Sequence, residues 1–134
     1  MAIQILSAKK FAITLKVTIQ KTGRLGFTDE TAKALDLESG KFATFAQDSE
    51  NDSLYLIINN EANEDAFDIR LSSGYYYISA KTLFDTLGFD YANNTIMFDL
   101  IRQSSLDNDL QGQVYLMKQR PIKNKDKKND ITIP

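Results

Sequence analysis

One order of elements occurs twice along this chain, and the two copies keep step residue by residue. In the first, Ile13, Leu15, Val17 and Ile19 alternate with polar neighbours through an extended run from Phe11 to Gln20. Such alternation marks a strand with one buried face. A turn follows around Gly23. Thr28 then offers a helix cap, and Asp29 and Glu30 stand where the helix dipole favours negative charge. Ala32 and Leu35 supply the inner face of this helix, and Gly40 follows its end. Lys41 to Gln47 and Ser53 to Asn59 read as paired strands across the acidic turn Asp48 to Asp52.

The second copy repeats this order. Phe67, Ile69 and Leu71 alternate, Ser73-Gly74 turns, and Tyr75 to Ile78 is extended. Ser79 is expected to cap a helix carrying Leu83, Phe84 and Leu87, which Gly88 stops. A strand over Thr95 to Arg102, a polar loop over Gln103 to Gln111 and a last strand over Gly112 to Lys118 complete it. Gly23 and Gly74 are 51 residues apart, as are Thr28 and Ser79, while Leu35 and Leu87 are 52 apart. Leu54-Tyr55-Leu56-Ile57 answers Val114-Tyr115-Leu116-Met117 at a spacing of 60. A unit of about 50 residues barely buries its own apolar faces. Two copies, about 11–59 and 67–118, are therefore expected to share one core around a pseudo-two-fold axis. The expected fold is α+β and β-rich, a single domain over 1–120 made of two strand-helix-strand-strand repeats. Leu35, Leu37, Leu83 and Leu87 are expected to be buried, 60–66 to link the copies, and 121–134 to form a flexible basic tail.

The chemistry open to the chain is narrow. None of its 134 residues is Cys or His. Thiolate nucleophiles, zinc-thiolate sites, Ser-His-Asp triads and imidazole metal ligands are excluded. Asp48, Glu50 and Asp52 have the spacing that opens a calcium loop, but Ser53 and Asn59 stand where that loop needs Gly and Glu. Gly23-Arg24-Leu25-Gly26 lacks the spacing and the Lys of a phosphate-binding P-loop. The expectation is a protein that is not an enzyme, with no cofactor and no metal. No stretch approaches the run of roughly 18 apolar residues that spans a bilayer. The order of charges in the first residues is also wrong for a secretory signal. A cytoplasmic protein with no membrane partner is expected.

Charge is segregated along the chain. Residues 1–24 carry Lys9, Lys10, Lys16, Lys21 and Arg24 and no acid. Residues 25–117 hold five basic residues against sixteen acidic ones, and the last 17 residues return to a net +4. A basic end on an acidic body suits a phosphate-bearing partner, and it equally suits a solvated strand face. Tyr75 and Tyr77 share one side of a strand. They either stack on bases or fill a β core with their hydroxyls at its rim.

Lys16-Val17 leading into Gly23-Arg24-Leu25, then Glu30, Leu35 and Leu37, then a hairpin ending Leu54-Tyr55-Leu56, resembles the AbrB/MraZ/SpoVT swapped-hairpin family. The match covers about 13–58 by motif and 67–118 by order of elements. Asp36 stands where the family has a Gly, and Gly74-Tyr75 where the first copy has Gly23-Arg24. The resemblance implies a bacterial DNA-binding regulator, with Lys16, Lys21 and Arg24 on the surface presented to DNA and Lys9 and Lys10 as further basic candidates. The other reading is a non-catalytic protein-interaction or oligomerisation module that binds no nucleic acid. Either allows a protein partner or a homodimer.

Overall fold

The computed structural model describes residues 2–5 and 15–122. Lys9 and Lys10, residues 11–14 of the expected first strand, and 123–134 of the expected tail lie outside them.

The alternation read from the sequence becomes an all-antiparallel sheet of nine strands. In chain order these are β1 (Leu15–Ile19), β2 (Arg24–Phe27), β3 (Phe42–Gln47), β4 (Leu54–Asn59), β5 (Phe67–Asp68), β6 (Arg70–Ser72), β7 (Tyr75–Ser79), β8 (Ile96–Arg102) and β9 (Gln113–Gln119). Their order across the sheet is β5-β3-β4-β9-β8-β1-β2-β7-β6. The two edge strands, β5 and β6, are separated in the chain by Ile69 alone, so the sheet curls until it is nearly closed. The run Phe67, Ile69, Leu71 is therefore a broken strand, paired first to β3 and then to β7.

Register puts one residue set inside on every strand. Val17 faces Phe27 on one side and Phe98 on the other, Leu25 pairs with Ile78, and Leu56 with Tyr115. All these side chains are buried.

Among the described residues, three short helices attach to the sheet: α1 (Asp29–Ala34), α2 (Lys81–Thr86) and α3 (Asp107–Leu110). Helix α1 begins as the sequence implies, with the Thr28 side chain accepting from the Thr31 N–H. Thr31 is fully buried, and its hydroxyl accepts the Lys16 N–H at 2.7 Å, which ties α1 to β1. Leu35 and, in the 3-10 turn Leu37–Ser39, Leu37 are buried as expected.

Helix α2 departs from expectation. Ser79 remains in β7, paired with Arg24, so the cap position falls to Ala80, which makes no side-chain cap bond. Ala80 and Phe84, four apart, form the inward line of this helix. Leu83 and Leu87 sit on its flank and are only half-buried. Phe84 is central to the core. Its ring meets Phe45 edge-on at 5.8 Å and Phe89 at 6.2 Å, and Phe45 and Phe89 reach on to Phe67 and Phe98. The segment from Gln103 to Gln111, expected as a polar loop, is instead mostly helical: the 3-10 turn Ser104–Leu106 runs straight into α3, and only Gln103 and Gln111 lie outside them. Among the described residues, no helix is long and apolar enough to cross a membrane.

Candidate nucleic-acid interface

The basic candidates lie on the outer face of the β1–β2 hairpin, opposite the apolar interior. Alternation on β1 sends Lys16 outward between the buried Val17 and the core-packed Leu15. Lys21 is exposed in the turn. Arg24 opens β2, one residue before the buried Leu25. The turn needs Gly23, whose φ of +85° is a left-handed conformation that side chains disfavour.

These residues do not form one cluster. Lys21 and Arg24 stand together at the turn, whereas Lys16 lies about four residues back along the strand, on the order of 13 Å away. There it faces Asp99 across β8, and Asp99 in turn faces Lys118 on β9. Arg120 grips the same carboxylate, through Nη2 at 2.8 Å and Nε at 3.0 Å. Lys16 thus belongs to a row of mixed charge.

Arg24 is different. Its guanidinium lies over the Tyr77 ring, 4.3 Å from the centroid. The chain has four arginines. Arg102 is forked onto Asp107 with two contacts of 2.6 Å, Arg120 holds Asp99, and Arg70 is 3.9 Å from Asp68. The Arg102 fork, with the Val114 N–H adding to it, holds the Asp107 carboxyl below the usual carboxylate range. Among the described residues, the Arg24 side chain has neither an acidic partner nor a protein acceptor, so its donors face outward.

Tyr77 itself is 8% exposed, covered by Arg24 on the outer face rather than facing the core. Tyr76 is the tyrosine of this run that packs against the core, and Tyr75 is 38% exposed. Sequence reasoning missed Arg70, which sits opposite Tyr77 on β6 and therefore on the same outer face. Its signal was faint: one basic residue in an acidic segment, at an outward position of a short strand. Set against family models, curated proteins and solved structures, the chain matches none.

Proposed function

We propose that the chain is a small non-catalytic DNA-binding regulator of the AbrB/MraZ type, acting in the cytoplasm without a cofactor. In this reading it grips phosphate through Arg24 and Lys21 at the turn of the β1–β2 hairpin. The observation that carries it is the contrast among the arginines: Arg102 and Arg120 are gripped by aspartates, Arg70 is exposed and only 3.9 Å from Asp68, and Arg24 is stacked on Tyr77 with its donors free among the described residues. Stacking fixes the plane of the guanidinium, so less freedom is lost when it closes on a phosphate or a guanine edge. Lys16 contributes less in this reading, because Asp99 stands beside it.

Two features support the family and repeat reading. Exchanging β1 with β5–β6, β2 with β7, β3 with β8 and β4 with β9 leaves the list of strand neighbours unchanged. That is the behaviour of two copies around a two-fold axis. Asp36, which replaces the family's glycine, has φ 54° and ψ 47°, a conformation glycine takes most readily.

The test is binding of random duplex DNA at about 50 mM and 200 mM salt. Two phosphate contacts give a log–log slope near −2 and a loss of about 15-fold across that range. Arg24→Ala should lower the slope by about one, with an unchanged circular dichroism spectrum. Absence of binding at the lower salt overturns the reading. It would favour the protein-interaction module instead, which the second hairpin supports by exposing Leu71 on its inner face and Tyr75 on its outer one.

A further inference from the structure

The sheet is nearly closed, but one stretch of its edge is bare among the described residues. Strand β5 covers only Phe42 and Ala43 of β3. The chain before β5 turns away, held by the Asn63 carbonyl accepting from the Ala66 N–H and its side chain accepting from the Asp65 N–H. Thr44 to Gln47 is thus left with β4 on one side and no described strand on the other.

The direction of its free groups follows from the hairpin. The Asp48 N–H donates to the Ser53 carbonyl at 2.8 Å, toward β4. Antiparallel strands alternate the side to which successive residues direct their backbone groups. The N–H and C=O of Phe45 and Gln47 therefore point out of the edge, in phase with Ala43, which β5 pairs. Exposed edges in native proteins are usually blunted by charge, proline or a bulge. Thr44-Phe45-Ala46-Gln47 carries no charge and no proline.

A strand suited to this edge is present in the same chain. Residues 2–5, Ala-Ile-Gln-Ile, belong to no element and are exposed throughout. Ile3 and Ile5, which fall on one side of an extended chain, are 84% and 89% exposed. Laid antiparallel to β3 in line with β5, with Ile5 opposite Phe45 and Ile3 opposite Gln47, the segment places both isoleucines on the inner face and reaches as far as Asp48. Phe45 is only half-buried and already packs on Phe67 and Phe84.

We infer that the β3 edge from Thr44 to Gln47 accepts the Ala2–Ile5 strand of a second copy, and that reciprocal exchange makes a two-fold dimer. This surface is separate from the Arg24 face and does not depend on nucleic-acid binding.

Sedimentation velocity of the full chain, from micromolar to hundreds of micromolar, tests it. A concentration-dependent shift from monomer to dimer is expected. Gln47→Pro should abolish the shift by blocking the edge. It costs the sheet no internal bond, because this N–H points away from β4. The double variant Ile3→Asp/Ile5→Asp should abolish it by spoiling the donor. Mixed, the two folded variants should associate one to one at the top of the range, since each keeps what the other has lost. A wild-type chain that stays monomeric throughout overturns the proposal, including one whose own N-terminal segment covers the edge. So does association that survives either variant, or a mixture that does not associate.

Discussion

The hairpins β1–β2 and β6–β7 occupy matching places in the strand order, yet one is built into the molecule and the other projects from it. In the first, Val17, Ile19, Leu25 and Phe27 are all at or below 5% exposure. Its turn lies against α2: a side chain at Gly23 would meet the Lys81 Cβ at 2.6 Å and its Cα at 2.9 Å. In the second, Gly74 has the same φ of +85° but nothing within 4 Å, and inward-pointing Leu71 is 59% exposed. The residue after the glycine differs too. Arg24 is stacked and half-buried, whereas Tyr75 is open to solvent. Equal backbone geometry does not give equal anchoring; what covers the turn decides it.

The widest gap should appear on truncating the leucines. Leu25→Ala removes a fully buried side chain and should cost about 2–5 kcal/mol in urea unfolding. Leu71→Ala should stay within about 0.5 kcal/mol, as for an ordinary surface change. Equal losses would mean that the second hairpin is as well packed as the first.

The glycines come next. Both substitutions to Ala pay for the left-handed backbone, about 1–2 kcal/mol. Gly23→Ala also presses into Lys81, which should add about 1–3 kcal/mol. A denaturation midpoint for Gly23→Ala no lower than that for Gly74→Ala would break the comparison.

Acid should produce the smallest effect, at the first turn only. The Tyr91 hydroxyl foremost, and then Lys81, hold the Asp85 carboxyl below its ordinary value. A depressed carboxyl stabilises above its unfolded pKa, and that contribution is lost as pH falls through the folded value. Below the ordinary carboxylate range, the link from Lys81 through Asp85 to Tyr91 should loosen. Amide exchange of the Gly23 turn, corrected for its intrinsic pH dependence, should then rise toward that of the Gly74 turn.

Much of this was legible in the chain. Thr28 and the acids after it give α1, alternation gives β1 and β8, and two runs flanking an acidic turn give β3 and β4, because these signals are local. The Ser79 cap failed because a cross-strand partner, Arg24, keeps that residue in β7. The break at Ile69 was hidden for the same kind of reason. Phe67, Ile69 and Leu71 do alternate, but pairing switches from β3 to β7 midway, and no local pattern records which neighbour a strand will have. At the candidate site the sequence supplied Lys16, Lys21 and Arg24, and residue type alone favoured Arg24 for its bidentate guanidinium. Separating them took Asp99, 83 residues from Lys16, and Tyr77, 53 residues from Arg24.

The interleaved strand order also has a consequence for the making of the protein. Strand β1 lies between β2 and β8, so Leu15 must wait for Leu100 before its second flank is paired. At about 5–20 residues per second of synthesis, that wait is roughly 4–17 s. Throughout it, Val17 and Ile19 have no β8 to cover them, and a neighbouring nascent chain offers the same strand. Such non-local pairing also slows folding after release, since loop closure is paid before the contacts reward it. Translation speed and chaperone supply should therefore govern the yield of this protein more than the stability of its finished sheet.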